Sequence, residues 1–273
     1  MADRDANKTD RSRRSKIEIV VILTALVIGV LVINSFVSRP RIGSHQGSKK
    51  TRCSIKMRHI GIALQTYHDE YGQFPPAYVA DENGTPMHSW RVLLLPYLDY
   101  PGLYLKFQFD EPWNSPHNLQ LAEPLDVFKC PSQSDEPSTM TNYLAVVGER
   151  TCWPGAKSRS KEEIADGPIN TVQLIEVADS DILWSEPRDL NFRQMNFSVG
   201  ASDRRGTSSH HKGVNVTLAS GHAERLPEDV SPEEFKAYLT VDGGEPLTAE
   251  FASGLKRLVR PNTDETPAKG RPR

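Results

Sequence analysis

His210, His211 and His222 fall within thirteen residues of the stretch HHKGVNVTLASGHAERL, and two hydroxyl residues, Ser208 and Ser209, stand immediately before them. Histidine is the commonest metal ligand and the usual proton carrier near neutral pH, so a metal centre and a nucleophile served by His210 are the chemistries to weigh. A metal needs its imidazole nitrogens about 2.0–2.1 Å from one ion. Val214, Val216 and Leu218 alternate with Asn215, Thr217 and Ala219, which is the period of a strand. Ser220-Gly221 then supplies a two-residue hairpin turn that sets Ala219 opposite His222. In that hairpin His211 lies eight residues from Ala219, roughly 25 Å along the strand, too far for one ion. His210 and His211 are neighbours and point to opposite sides of a strand. No HExxH, GxSxG, P-loop or GxGxxG spacing occurs. Glu176, Asp179, Asp181, Glu186 and Asp189 offer paired carboxylates of the kind glycoside hydrolysis uses, but a solvated strand end and loop is the plainer reading. No catalytic, cofactor or metal residue is assigned on these grounds, and the chain is read as not an enzyme. The alternative is an anchored extracytoplasmic hydrolase using His210 and the nearby acidic residues.

Such residues need elements to position them, and the first element is of another kind. From Ile19 to Val37 there are 19 residues without a formal charge. As a helix they span about 28 Å, close to the hydrocarbon thickness of a bilayer. A cleaved signal peptide has a shorter apolar core and a small-residue cleavage site, which NSFVSRP lacks. Residues 17–38 are therefore expected to be a transmembrane helix in contact with membrane lipid. Arg13, Arg14 and Lys16 crowd its front, so residues 1–16 are placed in the cytoplasm and the rest outside it, as a single-pass protein of the cell membrane. A net charge of -2 gives no basic face of the kind nucleic acid requires.

Residues 39–50, with Gly43, Ser44, Gly47 and Ser48, read as a flexible stalk. Cys53, Met57, Ile60, Leu64, Tyr67 and Tyr71 then recur at steps of four and three, one stripe of an amphipathic helix that predicts a core face against a sheet. Gly72 suits its C-terminal cap and Pro75-Pro76 forbid its continuation. A short helix is expected around Trp90–Tyr97 with Ser89 as its cap. TNYLAVVG and NTVQLIEVAD read as strands. Between them Ser160 and Glu163 have capping-box spacing, and SPEEFKAYLT reads as a last helix capped by Ser231. The folded region is set at 51–245 and a largely disordered tail at 246–273. Three cysteines allow one bridge in an oxidising compartment. Cys53–Cys130 is taken as the pair, tying the long helix to the CPS loop, with the other pairings left open. Trp113, Trp153 and Trp184 are candidates for an exposed platform binding a glycan or peptide, although packing is the commoner role for such rings.

The stretches IGIALQTYHDEYGQFPPAYVADENGTPMHSWRVLLLPYLD, EPWNSPHN, CPS, YLAVVGERTCWPG, EVADSDILWSEPRDL and SSHHKGVNVTLASGHAERL occur in that order. Together they resemble the bacterial domain-of-unknown-function 1559 family from about Cys53 to Gly244. The resemblance implies the build of type IV pilins and pseudopilins: α+β, with an N-terminal apolar helix and an amphipathic helix packed on a mostly antiparallel sheet. It implies a structural or binding role at the cell envelope, with an envelope protein or a glycan as possible partner, and no established activity. Many members begin with a Gly, then Phe-Thr-Leu and a Glu; if Glu18 takes the place of that Glu, Arg13 stands where the Gly would be. Members also carry a His, nine residues, then Asp-Gly. Here His210 and Gly221 match while Ser220 replaces the Asp, so His210, Ser220 and Gly221 are retained as a turn motif without an assigned role.

Overall fold

The computed structural model describes residues 44–132, 136–200, 206–209, 212–244, 247–250 and 256–258. Residues 1–45 and 46–273 form separate units. The expected cytoplasmic segment 1–16 and membrane span 17–38 lie outside the described residues, as do His210 and His211. Among the described residues no helix is long and apolar enough to cross a membrane.

Helix α1 (Ser44–Tyr71) takes in residues 44–50, which the sequence gives to a flexible stalk. Extending a helix already nucleated costs little per residue, so the weak formers Gly47 and Ser48 do not stop it. Cys53, Met57, Ile60 and Leu64 are completely buried, about 1.5–3 kcal/mol for each large apolar side chain, while Arg52, Arg58, Thr66 and Glu70 on the other side are exposed. The stripe fails at its end. Tyr71 is 55% exposed and lies tilted against Tyr67 with ring centroids 4.5 Å apart, and Tyr67 meets Tyr97 edge-on at 5.8 Å. Gly72 ends the helix in the left-handed region (φ 71°), its N–H returning to the His68 carbonyl at 2.8 Å.

Strands β1 (Tyr78–Ala80) and β2 (Pro86–Ser89) form a small antiparallel hairpin. Ser89 caps α2 (Trp90–Leu93), its hydroxyl accepting from the Arg91 N–H. The helix predicted through Tyr97 breaks there: Pro96 lacks an N–H and disfavours the helical region at Leu95, so Leu95–Leu98 form a separate 3-10 turn. Two further short helices follow, α3 (Pro101–Tyr104) and α4 (Pro116–Gln120), each with proline near its start.

The central sheet contains β3 (Tyr143–Val147), β4 (Val172–Glu176), β5 (Leu190–Asn191), β6 (Val214–Leu218) and β7 (Ala223–Leu226). Their order is β5-β3-β4-β6-β7. All pairs are antiparallel except β3 with β5, so the fold is α+β with a mostly antiparallel sheet. YLAVV and VNVTL are almost wholly buried because both faces of the sheet are covered. Tyr143, Ala145 and Leu174 join the cluster beneath α1. Leu144, Val146, Ile175 and Val216 pack with Phe235, Tyr238 and Leu239 of α5 (Pro232–Leu239). A register shift between Val172 and Leu174 lets Val172 join the α5 side. Within the expected tail 246–273, β8 (Leu247–Glu250) and β9 (Lys256–Leu258) pair antiparallel.

Candidate functional site

The expectation that the acidic run is a solvated loop fails for its two ends, Glu176 and Asp189. The Asp189 side chain is 2% exposed and that of Arg91 is wholly buried, with Nη2 2.5 Å from Oδ1. Oδ1 also accepts from the Ala145 N–H at 2.8 Å, and Oδ2 from Trp90 Nε1–H at 3.1 Å and Arg91 Nη1 at 3.4 Å. Arg91 spends its other donors on the Tyr143 carbonyl, at 3.0 and 3.3 Å, and on Ser89 Oγ at 2.9 Å. Burial pushes the Asp189 carboxyl up and the Arg91 guanidinium down, and the attraction between them works against both shifts. One lock thus joins α2, β3 and the start of β5. The available signal was a single arginine inside the apolar run SWRVLLLPYL; its partner lies 98 positions away.

A cleft of about 300 Å³ opens beside this lock, lined by Asp181, Arg188, Asn191 and Gln194 together with Leu144 and Leu190. Arg188 is held by Asp181 at 3.0 Å and by Glu186 at 2.6 Å, which raises its pKa, the bond to Glu186 first. Asp179 and Asp181 are exposed, as the loop reading requires.

The other polar convergence is the seam under α1. Cys53 and Cys130 are joined in a disulfide with Cα atoms 5.2 Å apart. Lys56 donates to the carbonyls of Asp126 and Lys129 at 2.6 and 3.0 Å and pairs with the Asp126 carboxylate at 2.7 Å. Cys152 is buried and unbridged, and burial pushes its thiol up to about 12. Glu176 is fully buried; its Oε2 accepts from Asn215 Nδ2 at 2.7 Å and from the Asn215 N–H at 3.3 Å. Burial raises its pKa, against the pull of these Asn215 bonds. Among the described residues, Cys53, Cys130 and Glu176 form the group with metal-ligand capability, their ligand atoms within 4.8 Å of one another.

The hairpin turn is one residue longer than predicted. Thr217 pairs with Ala223 and Val214 with Leu226, which leaves Ala219–Ser220–Gly221 as the loop. Gly221 takes φ 84°, the left-handed residue of a three-residue hairpin, and its N–H returns to the Leu218 carbonyl at 2.8 Å. The turn is held by α1. Gln65 Nε2 donates to the Ala219 carbonyl at 2.9 Å, and a methyl at Gly61 would press on the Gly221 carbonyl and come within 2.8 Å of Thr217 Cγ2. Ser220 Oγ lies 3.2 Å from His222 Nδ1 at the exposed tip, an arrangement that orders the turn.

Two other histidines are internal. The Lys161 N–H donates to His68 Nε2 at 3.1 Å, so this nitrogen carries no proton, and burial lowers the pKa. His88 Nε2 lies 3.3 Å from the Phe109 carbonyl, and burial lowers this ring as well. Trp153 and Trp184 are buried, their N–H groups bonded to the Gln173 and Glu123 carbonyls at 2.6 and 2.8 Å, and Trp113 is half-buried. The expected exposed platform of these three rings is not assembled.

No curated protein and no solved structure matched the chain. A family model described as "Protein of unknown function (DUF1559)" matches residues 46–195, from the start of the domain through the disulfide, the Arg91–Asp189 lock and the cleft beside it. With more than half of the sequence matched in one uninterrupted stretch, this chain belongs to the DUF1559 family.

Proposed function

We propose that this chain is a membrane-anchored, envelope-exposed protein of pilin-like build with a structural or binding role. The observation that carries the reading is the buried Cys53–Cys130 bridge, because structural disulfides persist outside the reducing cytoplasm. The uncharged run Ile19–Val37 ends shortly before α1, so an anchor at 17–38 would deliver the chain directly into the helix that the bridge fastens to the domain. The consumption of Asp189, Arg91 and Asn215 by internal bonds supports a scaffold over a reaction centre. The cleft beside β5 is then the place to look for an envelope partner. Protease added to intact cells with the outer barrier permeabilised should remove the domain and leave a membrane-embedded N-terminal fragment. Non-reducing electrophoresis should show the bridge in material taken directly from cells. A domain protected until the inner membrane is broken, with all three thiols free, would refute the proposal.

A further inference from the structure

The seam under α1 contains polar atoms that the fold does not use. Glu176 Oε1 is buried without a hydrogen-bond partner, and so is the phenol oxygen of Tyr143. These two residues are direct cross-strand partners, so their side chains share the sheet face that looks toward α1. Leaving such groups unsatisfied costs about 1–3 kcal/mol each, and a disulfide alone gives no reason to put a carboxylate beside it. The carboxylate is also aimed. Asn215 holds Oε2, and Arg225 Nη1 donates to Asn215 Oδ1 at 3.2 Å, the kind of outer support that fixes a metal-ligating carboxylate.

We propose that, when the disulfide is reduced, Cys53, Cys130 and Glu176 form a binding site for a thiophilic divalent cation such as Zn²⁺, with the Tyr143 hydroxyl beside the remaining coordination position. Two thiolates and a carboxylate are a donor set that zinc accepts in tetrahedral geometry. Two Zn–S bonds of about 2.3 Å put the sulfurs roughly 3.8 Å apart. With the Cα atoms 5.2 Å apart, rotation about the Cα–Cβ bonds reaches that spacing without moving the backbone. Ser132 Oγ lies 3.7 Å from Cys53 Sγ in a partly buried position. Opening the site breaks the S–S bond: a dithiol reductant gives up two electrons, becomes a cyclic disulfide and releases two protons, and the cation binds the two thiolates formed. An oxidising disulfide reverses the step and expels the ion. The inference does not depend on the anchored reading, since it concerns only the chemistry of three buried side chains.

The test uses the full chain in detergent, reduced with a dithiol, freed of reductant and titrated with Co²⁺. The reduced chain should bind one ion with a sulfur-to-cobalt charge-transfer band, and the oxidised chain should show no such band. Glu176→Gln should bind at least about tenfold more weakly, and Cys152→Ala should leave the band unchanged. If reduction alone unfolds the chain, as read by the buried tryptophans, Co²⁺ must restore the folded signal. No band from the reduced chain, no refolding by the ion, or full affinity in Glu176→Gln overturns the proposal.

Discussion

Asp189→Asn removes one charge and almost no volume, so its effect isolates the electrostatics of the buried lock. Every group that contacts the carboxylate is a donor: Arg91 Nη1 and Nη2, Trp90 Nε1–H and the Ala145 N–H. Whichever way the new amide turns, its NH₂ faces a donor. The remaining amide oxygen leaves Arg91 one bond at position 189 beside those to the Tyr143 carbonyl and Ser89 Oγ, but the guanidinium stays wholly buried without its counter-charge. Stranding one charge of a buried pair costs about 3–5 kcal/mol. At about 2–4 °C per kcal/mol for a domain of this size, the midpoint should fall by roughly 6–20 °C. Fluorescence reports it directly, because Trp90 lies under the guanidinium at 4.5 Å. Arg91→Met combined with Asp189→Leu should recover much of the loss, since an apolar replacement of a buried pair is often close to neutral. Arg150→Ala, which breaks an ion pair whose side chains are 59% and 52% exposed, should cost less than about 1 kcal/mol. An Asp189→Asn loss no larger than that of Arg150→Ala would refute the reasoning.

Gly61→Ala should destabilise even though alanine is worth about 1 kcal/mol over glycine in a helix. The methyl meets the Gly221 carbonyl and Thr217 Cγ2, and overpacking costs about 1–3 kcal/mol; Gly102→Ala, also in a helix but with open space around it, is the control and should gain up to about 1 kcal/mol in urea unfolding. His68 should make the domain acid-sensitive. Its folded pKa lies below the ordinary 6.5 because of burial, so its contribution is complete above 6.5 and is lost as pH falls through the folded value. Urea midpoints measured from neutral pH downward should therefore drop faster in the parent than in His68→Gln, and parallel curves would argue against it. Reducing the Cys53–Cys130 bridge, whose ends are 77 positions apart, should cost up to about 4–5 kcal/mol by loop entropy. That measurement is made with a chelator present, and an unchanged midpoint would show that α1 is held without the bridge.

Local signals in the sequence suffice where one segment determines its own structure. The four-three spacing of Cys53, Met57, Ile60 and Leu64 gave the buried face of α1. Ser160 with Glu163 gave a capping box, which holds a 3-10 turn at Lys161–Glu163, and Ser231 caps α5. The misreadings lie where a distant group decides. At Ala219–Gly221 strand period alone does not choose between a two-residue and a three-residue loop; contact with Gly61 and Gln65 of α1 does. Asp189 looked like a loop carboxylate because its four donors come from Trp90, Arg91 and Ala145, none of them near it in sequence. The parallel pairing of β3 with the two-residue β5 leaves no periodicity to detect.

The same logic ranks the polar residues that remain. With short helices and long connections, this chain has many backbone groups outside any ladder, and buried ones must be paired. Asn118 Nδ2 serves the carbonyls of Gln108, Glu111 and Pro112 while its Oδ1 accepts the Gln108 N–H. Asn142 Nδ2 serves Val177 and Ala178, and its Oδ1 accepts the Cys130 N–H. Thr151 Oγ1 donates to the Val146 carbonyl at 2.7 Å. Each of these side chains would pass for a site residue in a sequence motif, and each is accounted for by the backbone it satisfies. Function is therefore better sought among polar atoms the backbone does not claim. Glu176 Oε1 and the Tyr143 hydroxyl are two such atoms, and Glu176 is the one that reaches the cysteine sulfurs. Its bonded oxygen explains how the carboxylate is held, and its unbonded oxygen is what calls for a ligand.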